Sequence, residues 1–284
     1  MRAIQIPIRH ADADPEDTLD YLPMPREMNT FEMPRVPEPG PDADVAGARD
    51  VLEAFVGHVE RWLAGGGDPP ALDLVGLAPD VLRVLNDTLG EGEVAAIVDG
   101  APPIRIQETV FAGVWRQQHE HGGRLAHDYL LAAPVPPVIL QRAAERAAPR
   151  LRERPLPPGA MNAPALIHEL QDAVDRSGPG VPAHVINLSL LPMSPEDTAH
   201  LDAVLDGGAV VLLSRGFGNC RISSTAARNV WRVQYFNNMQ TLILNTIEVV
   251  DVPAVAVAAR EDLVETRERL ADLVRWMRDS IATA

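Results

Sequence analysis

The chain has 284 residues, 46% of them hydrophobic, and carries 25 Lys and Arg against 40 Asp and Glu, a formal charge of −15. This acidic surplus argues against a nucleic-acid-binding protein, which needs a basic face to neutralise phosphates. The single cysteine, Cys220, excludes an internal disulfide and a set of thiolates able to hold an iron–sulfur cluster. The sequence shows no signal-peptide pattern and no run of about 18 apolar residues, so we expect a cytoplasmic protein without a membrane span.

The first 45 residues are rich in proline and acidic near their start. Because proline fixes φ and removes a backbone donor, residues 1–45 are predicted to form an extended or disordered arm. Within this arm, Tyr21-Leu22-Pro23-Met24-Pro25 is unusually apolar. We therefore expect Tyr21, Leu22 and Met24 to contact either a partner or the chain's own domain.

A helix is predicted from Ala48, where apolar residues recur at helical spacing, to the stop at Gly65-Gly66-Gly67. Beyond it the sequence repeats. A shift of 116 residues aligns 72–118 with 188–234 without a gap, and 15 of these 47 positions are identical. Chance would give about one match in fifteen positions. We conclude that the chain contains an internal duplication, with copy one over 46–150 and copy two over 160–284.

Copy two shows the order of the predicted elements most clearly. A helix at Ala163–Arg176 precedes a strand over Ile186–Leu190, and Ser194-Pro195-Glu196-Asp197 has the pattern of a helix start. Four sequential strands and a closing helix follow. The strands are predicted around 209–213, 221–224, 230–236 and 242–250. The predicted fold is α+β: a tandem duplication of a unit with an antiparallel, roughly four-stranded sheet flanked by helices, preceded by the proline-rich arm.

The segment Arg215–Ile222 contains Gly216 and Gly218 after an apolar strand, as a nucleotide-binding loop would. A GxGxxG loop requires a helix next, whereas a further strand is predicted here, so we interpret the glycines as a tight turn. Copy one has Pro102-Pro103-Ile104 where copy two has Gly218-Asn219-Cys220. This divergent loop is the better candidate for function. Arg221 and Arg105 match between the copies, as do Arg232 and Arg116, which favours structural pairing with carboxylates.

Metal and catalytic candidates are few. His119 and His121, with His127 nearby, have a spacing that could bind zinc or nickel, but Gly122-Gly123 predicts a hairpin tip with solvated histidines. Cys220 could donate a thiolate, although a lone cysteine is more often a small buried hydrophobe. No P-loop, HExxH, nucleophile elbow or paired-carboxylate signature occurs, so we predict neither catalysis nor a resident metal or cofactor.

Several stretches of copy two resemble the HupH/HyaF family of hydrogenase expression and formation proteins. They are Gly216–Thr225, Asn229–Asn237, Ile243–Val249, Val252–Val255 and Glu261-Asp262. Ser189–Met193 and the Tyr21–Pro25 segment also resemble family features. One departure is that Val257 lies where the family pattern leads us to expect a cysteine.

The resemblance implies a maturation factor that holds the precursor of the iron–sulfur small subunit of a [NiFe]-hydrogenase until assembly and export, alongside other hydrogenase accessory proteins. An acidic face beside an apolar groove would suit the basic, apolar twin-arginine signal peptide of that precursor. The residues expected to bind the partner are Gly218, Asn219, Cys220, Arg221, Tyr235, Tyr21, Leu22 and Met24.

Two alternatives remain open at the level of the sequence. The protein could handle a metal or an iron–sulfur cluster through Cys220 and its loop, or it could be a structural subunit of a larger maturation complex. Stoichiometric metal in the purified protein would favour the first alternative, and recovery only within a multi-protein assembly would favour the second.

Overall fold

The computed structural model of the protein describes residues 44–178, 180–216 and 218–283. The predicted arm, with Tyr21, Leu22 and Met24, lies outside the described residues. Copy one contributes α1 (Val45–Leu63), β1 (Ala71–Asp73), α2 (Pro79–Leu89), β2 (Val94–Val98), β3 (Ile104–Glu108), β4 (Val114–His121), β5 (Arg124–Ala132) and α3 (Pro137–Arg146). Copy two contributes α4 (Ala163–Arg176), β6 (His184–Asn187), α5 (Pro195–Leu205), β7 (Gly207–Ser214), β8 (Asn219–Thr225), β9 (Val230–Phe236), β10 (Leu242–Val249) and α6 (Arg260–Thr283).

All ten strands form one antiparallel sheet in the order β1-β5-β4-β3-β2-β7-β8-β9-β10-β6. The expectation of a roughly four-stranded sheet in each copy was therefore wrong. Each copy does contain a meander of four strands, but its first strand returns to pair with its last, as β1 pairs with β5 and β6 with β10. The two five-stranded halves then join through β2 and β7. Pairing these two strands removes two free sheet edges from the middle of the molecule.

The junction between β2 and β7 has an internal two-fold character. Ala96 pairs with Leu212, and these residues are also each other's counterparts under the 116-residue shift of the duplication. A pairing in which a residue faces its own counterpart is isologous, as at the interface of a symmetric dimer. The duplicated chain therefore builds within one polypeptide the arrangement that two identical units would form.

The helices cover the two faces of the sheet unequally. On one face, α1, α2 and α6 pack over copy one, while α4 and α5 pack over copy two. The other face is covered near the junction by α3 and a short 3-10 turn at Ala254–Ala256. Helix α6 comes from copy two but packs against α1 of copy one, where Arg278 lies 2.7 Å from Glu53. The last helix thus fastens the two copies together.

Local backbone features are also duplicated. Gly90 and its counterpart Asp206 both have a positive φ, of 54° and 51°, at the ends of α2 and α5. The indole nitrogens of Trp115 and Trp231 donate to the backbone carbonyls of Ala133 and Val250, at 2.9 and 3.1 Å. These matched indoles fill equivalent places in the core.

The strand predicted over Ile186–Leu190 lies earlier in the structure, at His184–Asn187. Strand β6 ends at Asn187, and residues Leu188–Leu190 form a 3-10 turn. The Asn187 side chain accepts a hydrogen bond from the Ser189 N–H at 3.0 Å, which turns the chain out of the sheet. As a consequence β6 covers only the second half of β10.

The matched arginines of β4 and β9 each contact one residue on a helix and one on the last strand of their copy. Arg116 binds Asp128 and donates to the Asn86 side chain at 2.7 Å. Arg232 donates to the Asn245 side chain at 3.1 Å and binds Asp202. Asp and Asn have therefore exchanged places between the copies, while the geometry around the arginine is preserved.

This exchange predicts a compensating pair of substitutions. Asp202→Asn should lower the free energy of unfolding by about 1 kcal/mol, a modest value because Asp202 is 42% exposed. Adding Asn245→Asp restores a carboxylate in the position that it has in copy one, so the double variant should recover most of the loss. Urea denaturation of the three proteins measures this. A double variant less stable than Asp202→Asn would contradict the proposed equivalence.

Candidate functional site

The glycine segment of copy two is a turn between β7 and β8, as the sequence predicts. Gly218 has a φ of 95°, which an L side chain rarely adopts, and Gly216 and Gly218 bridge each other across the turn. A Cβ on Gly216 would lie 2.0 Å from the Glu93 carboxylate of copy one, so the turn packs closely against that side chain. The chain continues into β8, not into a helix, which rules out the dinucleotide-binding fingerprint at this place.

Cys220 begins the buried part of β8 and is only 2% exposed. It pairs across the strands with Tyr235 of β9, whose hydroxyl interacts with the Cys220 sulfur. Burial raises the pKa of the Cys220 thiol to about 11, and the nearby Glu248 adds to this rise. Burial also raises the pKa of Tyr235 to about 12. At neutral pH the sulfur is therefore a protonated thiol, which is a weak nucleophile and a weak metal ligand.

Asn219 and Arg221 flank Cys220, and both are half-buried. Arg221 lies on the opposite face of the sheet from Cys220, the face on which α4 and α5 pack. Burial and the neighbouring Arg232 lower the pKa of Arg221. In the part of the chain that the structure describes, Arg221 forms no ion pair with a carboxylate, so the expected structural pairing is seen for Arg116 and Arg232 but not for Arg221.

The β9–β10 hairpin, residues 237–241, lies at the same end of the sheet as the Gly216–Gly218 turn. This follows from the antiparallel meander, in which alternate turns share one end. The structure therefore groups Gly218, Asn219, Cys220 and Tyr235 with the hairpin and the 3-10 turn after β6.

This end of copy two exposes large apolar side chains. Met239 is 85% exposed, Leu190 is 79% exposed and Ile243 is 60% exposed. Leu191, which follows Leu190 in the sequence, is also exposed. We call these four residues the apolar corner. Such side chains are normally scattered singly over a surface, whereas a contiguous group indicates a binding surface.

Copy one has a different surface at its equivalent end. His119 and His127 face each other there, the His127 Nδ1 lies 2.9 Å from Asp73, and Tyr129 stacks on His127. Burial lowers the pKa of His119. His121 is exposed at the hairpin.

The weak metal candidates do not come together, since His119 and His121 lie in copy one and Cys220 at the other end of the sheet. Within 44–178, 180–216 and 218–283, no three His, Cys, Asp or Glu side chains are arranged to hold a metal ion.

A groove of about 470 Å3 lies elsewhere on copy two, between residues 150–156 and helices α4 and α5. His168, Ile167 and Val204 contribute to its lining. Gly218, Asn219, Cys220, Arg221 and Tyr235 do not line this groove, and neither do the four residues of the apolar corner. The groove and the apolar corner are therefore separate surfaces.

Comparison with known proteins matches this chain to a family. The model of the HupH hydrogenase expression protein, C-terminal conserved region, matches the chain twice, at residues 45–154 and 160–277. The chain belongs to the HupH hydrogenase expression protein family. The two matches correspond to copy one and copy two, so the conserved region of the family is itself the duplicated unit.

Relatives named as hydrogenase expression/formation proteins align over most of this chain. HoxQ of Cupriavidus necator is 42% identical over 268 residues, covering 92% of this chain and 93% of the relative. HupQ of Azotobacter chroococcum mcd 1 is 44% identical, covering 91% and 92%. A solved structure, the hydrogenase expression protein HupH from Thiobacillus denitrificans ATCC 25259, is 30% identical, covers 43% of this chain and 99% of that chain, and has a TM-score of 0.36. Among the residues described for this HupH-family protein, no helix has both the length and the apolar character that crossing a membrane requires.

The apolar corner was missed by the sequence-based interpretation, which placed Ile243 inside a strand and Leu190 in another. A signal for it exists in the duplication. Copy one has Ala126 at the position of Ile243 and the turn Gly122-Gly123 in the region of Met239, so the large apolar side chains of Ile243 and Met239 belong to copy two alone.

Proposed function

We propose that this HupH-family protein is a holding chaperone, not an enzyme, and that it binds the precursor of the iron–sulfur small subunit of a [NiFe]-hydrogenase before assembly and export. The observation that carries the proposal is the apolar corner, which lies at the same end of copy two as Gly218, Asn219, Cys220 and Tyr235. A surface that offers apolar side chains beside a polar turn suits a protein partner whose own apolar segments are still uncovered.

The environment of Cys220 supports binding over thiol chemistry. The thiol is buried between β7 and β9, and its raised pKa keeps it protonated in the cytosolic pH range. A thiolate that transfers a metal or cluster needs exposure and a lowered pKa. We assign Cys220 the role of packing against Tyr235 behind the turn.

A pull-down with the tagged protein from cells that express the hydrogenase tests the proposal. We expect the small-subunit precursor, still carrying its signal peptide, to co-elute with the wild type and with Cys220→Ala in similar amounts. The matched comparison is a variant that lacks residues 1–43, which separates binding by the described part of the chain from binding by the arm.

Loss of the precursor from the wild-type eluate would refute the chaperone function. Loss from Cys220→Ala alone, with the variant still folded by circular dichroism, would instead support a direct role for the sulfur. Metal analysis of the isolated wild type would then be the decisive measurement.

A further inference from the structure

We infer that an extended, apolar and uncharged segment of the partner binds along the outer edge of β10, over Leu190, Met239 and Ile243. This inference rests on the proposed function, because it takes the small-subunit precursor as the partner, and it deepens that function by naming the surface and the mode of binding.

The first half of β10 has one strand neighbour instead of two. Leu242, Leu244 and Asn245 pair with β9, but β6 pairs only with Thr246–Val249 because the chain turns away after Asn187. The Asn245 N–H is bound by the Ser189 hydroxyl at 2.8 Å. Among the described residues no strand lies against the remainder of this edge, but the 3-10 turn Leu188–Leu190 contacts β10, so we expect an added strand to pair only around Leu242–Leu244.

A β-bulge at this edge directs Ile243 outward. Leu242 pairs with Phe236 and Leu244 with Tyr235, so Ile243 is the extra residue. Copy one has the same bulge at Ala126, because Glu120 pairs with Leu125 and His119 with His127. The bulge is thus a feature of the repeated scaffold, and copy two differs by presenting a large apolar side chain on it.

Leu190 lies near the start of β10. The Asn245 N–H donates to the Ser189 hydroxyl at 2.8 Å, which holds the 3-10 turn Leu188–Leu190 against this part of the strand. The counterpart of Leu190 in copy one is Leu74, which is buried in the core. Leu190 is therefore exposed at a position that is buried in copy one. Ile243 is a large apolar residue at a bulge position that holds Ala126 in copy one.

The charge of the β10 edge indicates which kind of partner segment can bind there. Residues 237–246 contain no charged residue and no proline, in a chain that is 23% charged. The matching stretch of copy one contains Arg124, His127 and Asp128. Charged residues and proline are what proteins use to protect a sheet edge from pairing, so the copy-two edge is unprotected where the copy-one edge is protected. An apolar, uncharged extended segment is the ligand that satisfies both the backbone edge and the apolar corner.

The test compares Ile243→Lys with Ala126→Lys, which places the same side chain on the same bulge of the other copy. The probe is the purified small-subunit precursor with its signal peptide, and the full-length protein is used throughout. We expect Ile243→Lys to weaken the Kd about tenfold or more and Ala126→Lys to leave it unchanged. Both positions lie on a hairpin, Ile243 exposed and Ala126 half-buried, and circular dichroism verifies that each variant is folded. Met239→Ser provides a second, milder variant at the corner, with a smaller loss expected.

Hydrogen exchange of the wild type provides an independent readout. Amides of residues 241–245 should exchange more slowly in the complex, whereas amides of residues 124–128 should not change. Binding of the precursor by the wild type and by Ile243→Lys with the same Kd would overturn the inference and leave the proposed function standing. Failure of the wild type to bind would overturn both. The wild type could also self-associate. If Ile243→Lys loses that self-association but still binds the precursor, the edge pairs with a second copy and the inference is wrong.

Discussion

Replacing Glu108 with glutamine should stabilise the protein above pH 7 by about 2–3 kcal/mol and at pH 5 by less than about 1 kcal/mol. Glu108 ends β3 and is 8% exposed. Burial raises the pKa of its carboxyl to about 7, and the nearby acids Glu93 and Asp262 add to the rise. Hydrogen bonds from the backbone N–H groups of Gly113 and Val94 lower this pKa, but by less than burial raises it.

The direction of the effect follows from the two pKa values. The unfolded chain releases this proton near pH 4.5, whereas the folded protein holds it up to about pH 7. The free energy of unfolding therefore falls as the pH rises through this window, by about 3 kcal/mol in total, and stays low above it. Glutamine has no charge to bury and can still accept the Gly113 N–H, which Glu108 accepts at 3.0 Å.

Urea denaturation at pH 5.0, 7.0 and 8.5, followed by the fluorescence of the buried Trp115 and Trp231, measures this effect. Glu91→Gln is the matched control, because Glu91 is exposed on the turn before β2 and loses the same charge. An equal stabilisation by Glu91→Gln would mean that relief of the overall negative charge, and not the burial of Glu108, causes the gain.

The helices and strands of this fold can be predicted from the sequence, because each is determined by a local pattern of residues. Ser194-Pro195 predicts the start of α5, and the structure has a full capping box there, with Ser194 and Asp197 bonded to each other's backbone. Each strand of the copy-two meander is found near its predicted place, because alternating apolar residues record one buried face.

The union of the two halves could not be predicted in the same way. The sequences of β2 and β7 have the pattern of ordinary buried strands. This local pattern does not indicate that the two strands pair with each other. The apolar corner was hidden for a related reason. Alternation assigns Ile243 to a strand, but a bulge, which depends on how the hairpin closes, turns the side chain outward.

Asp197 has a second role that the helix-start pattern does not contain. One carboxylate oxygen accepts the backbone N–H groups of Met161, Asn162 and Ala163, each at 2.8 Å, and the other accepts that of Ser194 at 3.2 Å. Three of these donors lie 34–36 residues earlier in the chain, at the start of α4. A single buried side chain thus satisfies the first donors of one helix and caps another.

Asp197→Ala should therefore lower the Tm strongly, by roughly 5–10 °C, because it removes the acceptor of four backbone N–H groups, the buried one of Ala163 among them, at the starts of two helices. Asp44→Ala is the control. Asp44 caps α1 through one bond, to the Gly47 N–H at 2.7 Å, and its loss should cost only about 1 kcal/mol. A Tm loss for Asp197→Ala no greater than that for Asp44→Ala would contradict the dual role.

The pH dependence of the Tm provides a second test of the role of Asp197. The four backbone donors, that of Ala163 foremost, lower the pKa of Asp197 from 3.8 to about 2. The bonds of the ionised carboxylate therefore stabilise the fold fully above pH 4, and this contribution disappears as the pH falls through about 2. Asn in this position keeps one acceptor but sets an amide N–H against that of Ser194, so Asp197→Asn should lie between the wild type and Asp197→Ala at pH 7. The Tm difference between wild type and Asp197→Asn should shrink on going from pH 4 to pH 2, and a constant difference would show that the charge of Asp197 is not what holds the two helix starts together.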